Sequence, residues 1–125
     1  METGLQHTAT LTVNEHNTAV TMGSGDMPVL ATPAMVALME NAAMSAVRDA
    51  LPEGATTVGG HINVSHLKPS AIGQTVTAKA LLTKVDGKKL FFHVSAFQGD
   101  TIIGEGEHLR FIVNREKFLA QFEQH

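Results

Sequence analysis

The sequence predicts an α+β domain in which a curved antiparallel sheet of about five strands wraps around one long buried helix. Three observations lead to this. Residues 32–50 form an uninterrupted helical stretch that is apolar almost all round, the pattern of a helix enclosed by other structure. Four segments after it alternate apolar and polar residues with a period of two, as antiparallel strands do. Short turn signals separate most of these segments, which favours neighbouring strands in meander order.

The first strand is predicted over 7–13, with Ala9, Leu11 and Val13 on one face and Thr8, Thr10 and Thr12 on the other. The polar run Asn14-Glu15-His16-Asn17 turns the chain. Residues 18–22 read as a second short strand or the end of a hairpin. The loop from Gly23 to Pro28 then feeds Val29-Leu30-Ala31 and the helix. Thr32 is the predicted N-cap, and Pro33 suits the first helical position, where an N–H would have no partner anyway. Between 34 and 47 only Glu40, Asn41 and Ser45 are not apolar, and Ala, Leu and Met are strong helix formers. Leu51-Pro52-Glu53-Gly54 is a stop signal.

A strand over 56–67 follows. Strict alternation puts Val58, Gly60, Ile62, Val64 and His66 on the face toward the helix, and Thr57, Gly59, His61, Asn63 and Ser65 on the other. Gly59-Gly60 also marks a possible strand bulge. Residues 68–73 turn the chain into a strand over 74–85. Asp86-Gly87-Lys88 is a hairpin signal, and 90–97 is the return strand. Gln98-Gly99-Asp100 turns again into a last strand over 101–113. A short C-terminal helix over 115–122 carries Phe118, Leu119 and Phe122 as its apolar stripe. Phe91 and Phe97, on outer faces, leave apolar surface uncovered and point to a dimer.

The chain has 125 residues, enough for a single domain over 1–125 with one core. Hydrophobic content of 43% with 17% charged residues fits a folded globular chain. A net charge of −3 gives no basis for nucleic acid or an anionic membrane as partner. With no cysteine there is no thiol nucleophile, no disulfide and no Cys-based metal site. His61 and His66 fall on opposite faces of one strand, which argues against a two-His metal site. The first residues lack a basic region and an apolar run, so the expectation is a cytoplasmic protein.

Glu40 is the anomaly. Its helix-face neighbours Val36, Ala37, Ala43 and Met44 include no cation. A carboxylate among such residues has to find a partner from another part of the fold. His66 points toward the same helix and titrates near neutral pH. His108 and Arg110 share a strand face, either inward as a pair or solvated.

The segment Ala31-Thr32-Pro33-Ala34-Met35-Val36-Ala37-Leu38-Met39-Glu40, the segment Val64-Ser65-His66, and Gly106-Glu107-His108-Leu109-Arg110 followed by Glu116-Lys117-Phe118 resemble the fluoroacetyl-CoA thioesterase group of the hot-dog fold superfamily. The resemblance implies an acyl-CoA thioesterase with Thr32, Glu40 and His66 as catalytic residues. It implies Gly59 near the thioester carbonyl, with Gly60 beside it and Arg110 close to the site. It further implies no metal, no organic cofactor, and a homodimer or dimer of dimers with sites at the subunit interface. The fluoroacetyl-CoA enzyme of the group has phenylalanines in the segment before its threonine, whereas Asp26-Met27-Pro28-Val29-Leu30 has none. A general short acyl thioester is therefore as good a candidate as fluoroacetyl-CoA. The chemistry needs a base or nucleophile, a proton shuttle and an oxyanion donor, and a carboxylate, an imidazole and a glycine-flanked backbone N–H supply them. The alternatives are a dehydratase or hydratase of the same fold, or a non-catalytic acyl-CoA binding protein. Eight helical residues span roughly 12 Å, so Thr32 and Glu40 are not expected to touch within one helix.

Overall fold

The computed structural model describes residues 1–123. Its elements are β1 (Gln6–Thr12), α1 (Ala19–Met22), α2 (Thr32–Val47), β2 (Ala55–His66), β3 (Thr75–Asp86), β4 (Lys89–Gln98), β5 (Thr101–Asn114) and α3 (Arg115–Ala120). Short 3-10 turns, Arg48–Ala50 and Gln121–Glu123, extend α2 and α3. The five strands form one antiparallel sheet in the order β1-β3-β4-β5-β2. No helix among the described residues is long and apolar enough to cross a membrane.

The core lies where α2 meets the concave face. Met35, Met39, Ala42, Ala43 and Val47 of α2 are fully buried. They face the alternating rows Val76-Ala78-Ala80-Leu82 of β3 and Leu90-Phe92-Val94-Ala96 of β4, all buried. The period-two reading of these strands thus corresponds to one continuous apolar surface. On the outer face Phe91 and Phe97 are only half-buried, and the Lys84 ammonium lies 5.3 Å from the Phe91 ring centre.

Several expectations are corrected. Residues 18–22 make a helical turn, not a strand. Gly23, at φ 77°, closes it in the left-handed conformation that glycine adopts freely, and only Thr18 keeps a bridge, to Leu30. The N-cap of α2 is Ala31, with Thr32 already helical and making no capping bond. The four later strands are not a simple meander: β3, β4 and β5 are, but β2 pairs only with β5 at the sheet edge. The turn predicted over 68–73 is a crossing from one edge of the sheet toward the other. Leu67 and Lys68 donate to the Ile103 carbonyl, and Ala71 bridges Val29 before β3 begins on the far side.

The helix is also not enclosed all round. Because β2 is an edge strand, the ridge of α2 along it, Thr32, Val36, Glu40 and Met44, stays half-exposed or exposed. Within β2 the register shifts between Gly59 and His61. This bulge leaves Gly60 without a partner and reverses the alternation. Gly59 therefore lies opposite Arg110, Ile62 opposite His108 and His66 opposite Gly104, all on the helix-facing side. Gly60 points the other way, and a Cβ there would overlap the Phe111 ring. Gly60→Ala is expected to cost about 1–3 kcal/mol through overpacking, read as a lower urea midpoint at unchanged slope.

Candidate active site

Helix α2 and strand β2 run in opposite directions, so their residues meet in reverse order. At one end the Thr32 hydroxyl lies 2.8 Å from His66 Nδ1. This contact takes the place of the predicted capping bond, since the main chain of Ala31 opens the helix without help from Thr32. The pair opens on a cleft of about 300 Å³, lined also by Ala19, Ser24, Val29 and Leu30. His66 Nε2 is buried and has no hydrogen-bond partner among the described residues. Burial lowers the pKa of His66 below its ordinary value of 6.5, opposed in part by the Lys68 backbone beside the ring, so the imidazole is neutral at pH 7.

Two helical turns on, Glu40 reaches the backbone of Gly59. A Cβ on Gly59 would stand 2.7 Å from Glu40 Oε2, 3.4 Å from His108 Cε1 and 3.5 Å from Arg110 Nη1. Three side chains thus close on one bare Cα, and only glycine leaves room for them. The expected partner of Glu40 is Arg110, with Nη1 3.8 Å from Oε2. The Glu40 side chain is 41% exposed, so it is not the deeply buried carboxylate that its helix neighbours suggest. The buried charge is the guanidinium, since Arg110 is only 6% exposed.

Arg110 is almost fully engaged within the chain. Its Nε donates to Thr57 Oγ1 at 2.8 Å and its Nη2 to the Thr57 carbonyl at 3.0 Å. Its Nη1 lies 3.2 Å from His108 Nε2. His108 Nδ1 lies 2.7 Å from the His61 carbonyl. A carbonyl only accepts, so Nδ1 carries the proton and Nε2 accepts from the guanidinium. Burial lowers the pKa of His108 below 6.5, the adjacent Arg110 lowers it further, and the His61 carbonyl and Glu40 act the other way. Burial also lowers the pKa of Arg110, opposed by Glu40.

The candidate residues therefore fall into two groups, Thr32 with His66 and Glu40 with Gly59 and Arg110. Gly60 joins neither. The separation matches the roughly 12 Å expected for eight helical residues. Thr57 and His108 are additions. Alternation pairs His108 with Arg110, but only the bulge brings Thr57 onto the same face. No group of three or more potential metal ligands occurs among the described residues. Because His66 and His108 have lowered pKa values when folded, the unfolded chain takes up protons first as pH falls. Their contribution to stability is complete above pH 6.5 and declines below it. The melting temperature is expected to fall between pH 7 and 5.5, and to fall less in His108→Gln.

Comparison with known proteins identifies the family. A family model described as fluoroacetyl-CoA-specific thioesterase matches residues 13–116. The fluoroacetyl-CoA thioesterase of Streptantibioticus cattleyicolor is 41% identical over 96 residues, 77% of this chain and 69% of that protein. A solved fluoroacetyl-CoA thioesterase variant in complex with fluoroacetate superposes with a TM-score of 0.90 at 35% identity, over 99% of this chain and 98% of the other. A hot-dog-like protein from Thermanaerovibrio acidaminovorans, 20% identical, shares the fold with a TM-score of 0.88 over 98% of this chain and 91% of its own. The chain has the hot-dog fold and belongs to the fluoroacetyl-CoA-specific thioesterase family.

Proposed function

We propose that the protein hydrolyses small acyl-CoA thioesters, with Thr32, His66 and Glu40 as the reacting groups. The observation that carries this is the 2.8 Å contact between Thr32 Oγ1 and His66 Nδ1 at the mouth of a cleft. It has the geometry of a nucleophile and its base. With its single proton on Nε2, the neutral imidazole accepts from the Thr32 hydroxyl and takes that proton as the oxygen attacks the thioester carbonyl. The proton passes to the departing thiolate, and water then releases the acid by the same route. A backbone N–H beside Gly59 is the oxyanion donor in this reading. Glu40 is the carboxylate that supports this pair in the reading, by stabilising the imidazolium formed when His66 takes the proton.

Within one chain Glu40 belongs to the other group, so the reading includes a homodimer. β2 has a free edge, and the ridge of α2 beside it is uncovered. If β2 pairs antiparallel with its own copy about a two-fold at Asn63, Ile62 of one chain faces Val64 of the other, and the bulge at Gly60 brings Gly59 opposite His66. Glu40, over Gly59, then meets the partner's Thr32–His66 pair. The loop at 26–30 holds no phenylalanine, so we assign short acyl groups generally, not fluoroacetyl alone. A CoA thioester substrate is consistent with a cytoplasmic location.

A thiol-release assay with a panel of short acyl-CoAs is expected to show turnover. Glu40→Gln and His66→Ala should each lower kcat by about a hundredfold or more. Absence of release from every substrate would favour a binding protein, and unchanged rates in both variants would displace the site. Between pH 8 and 6.5 kcat should be flat with respect to His66, falling only below that range as the imidazole takes up its proton. Mixing Thr32→Ala and Glu40→Gln subunits after dissociation should restore about a quarter of wild-type activity, since half the dimers are mixed and each mixed dimer has one intact site. No recovery would mean that the three groups act within one chain.

A further inference from the structure

We propose that His108 is a positioning residue for the hydrolysis, holding the Arg110 guanidinium in register so that it fixes the Glu40 carboxylate above Gly59. The inference rests on the thioesterase reading and adds to it a residue with no contact to substrate. His108 is 3% exposed. Its two nitrogens are both committed, Nδ1–H to the His61 carbonyl at 2.7 Å and the Nε2 lone pair to Arg110 Nη1 at 3.2 Å. A base whose lone pair is already occupied and which lies behind the guanidinium does not abstract a substrate proton. It acts on the geometry of its neighbour.

That neighbour has little freedom of its own. Thr57 holds Nε and Nη2 on one side of the guanidinium fork. His108 holds Nη1, the nitrogen that faces Glu40. Without the Nε2 acceptor, Nη1 loses its only hydrogen bond among the described residues and is free to swing toward the carboxylate or away from it. The His61 end of the contact lies at the bulge in β2, so the same ring ties the guanidinium to the strand distortion that presents Gly59.

The charges around the imidazole explain why it must stay neutral. Arg110 faces it from β5, Glu40 from α2 and His61 from β2, while β4 contributes the uncharged Phe92 ring, 6.3 Å away between centroids. A proton on Nε2 would replace an accepting lone pair with a second positive donor 3.2 Å from Nη1. The guanidinium would lose its anchor and be repelled. The carboxylate would then lose its fixed counter-charge, and with it the orientation needed at the reacting centre.

The test is steady-state thiol release by the full-length protein bearing His108→Leu, His108→Gln or Glu40→Gln, or both His108→Leu and Glu40→Gln. His108→Leu is expected to lower kcat by about ten- to a hundredfold with KM for the acyl-CoA little changed. His108→Gln keeps a donor and an acceptor and cannot be protonated. It should recover most of the lost rate, and below pH 6 it should retain a larger share of its own maximum than wild type does. In the Glu40→Gln background His108→Leu should cost almost nothing more, because both changes disable the same group. A wild-type kcat in His108→Leu, a loss confined to KM, failure of glutamine to rescue, or fully additive losses would each overturn the proposal. If His108→Leu does not fold, Thr57→Val removes one of the two opposite anchors, the hydroxyl that accepts from Nε, and leaves the carbonyl bond to Nη2; it should lower kcat in the same direction by a smaller factor, and an unchanged rate would overturn the proposal. The nitrogen chemical shifts of His108 in the wild type provide a check independent of turnover. The neutral Nδ1–H form at pH 7 is expected, and an Nε2–H form overturns the anchoring. An inactive wild-type protein that still shows the Nδ1–H form would remove the thioesterase reading, and the catalytic role of His108 with it, while leaving the anchoring in place.

Discussion

A guanidinium inside a sheet of small aliphatic residues is a constraint that the neighbouring structure has to meet. Burying a charge without partners costs several kcal/mol, and breaking one partner from a buried ionic cluster is strongly destabilising. Arg110 meets the requirement with a hydroxyl and a carbonyl from Thr57, a ring nitrogen from His108 and the nearby carboxylate of Glu40. Each partner comes at a structural cost to its own element. Position 59 must lack a side chain, Glu40 must leave the helix's apolar environment at its exposed ridge, and His108 must be neutral. The cluster is best understood as one electrostatic unit, not as a set of separate contacts.

The bulge at Gly60 makes that unit compatible with the other end of the strand. In a regular strand Thr57 and Gly59 would face away from His66, since their positions differ by odd numbers. One additional residue reverses the phase, so that Thr57 and Gly59 join Ile62, Val64 and His66 on the helix side. The antiparallel run of α2 then matches Thr32 with His66 and Glu40 with Gly59. A single unpaired glycine thereby places two polar groups, roughly 12 Å apart along α2, on the same face of one strand.

Local periodicity made the helix, the strand faces of β3 and β4 and the core legible, because each of those depends on residues close in sequence. The position of β2 at the sheet edge was not, since alternation carries no information about which strand lies next to which. Thr32 shows the same limit. A threonine before a helical run has the chemistry of an N-cap whether or not it caps, and its actual partner lies 34 residues away. Glu40 was legible as a carboxylate in need of a cation, while Arg110 as that cation required the tertiary structure. The doubled glycine at 59 and 60 was the one local sign of the bulge. The inward direction of His108 follows from its pairing with Ile62 once that register is known.

The reason for leaving the α2 ridge bare follows from the same geometry. A sixth strand alongside β2 would cover Val36 and Met44 and also separate Glu40 from any group approaching from outside. In the proposed dimer a second copy of β2 would cover the ridge and do the opposite. Antiparallel pairing would bring the Gly59 end of one strand to the His66 end of the other, so that the distance separating the two groups along one chain would become contact between two chains. On this reading, the apolar surface that drives association and the polar groups that react occupy a single strip. Assembly and catalysis then depend on the same residues, and an isolated chain would hold two half-sites with no complete one.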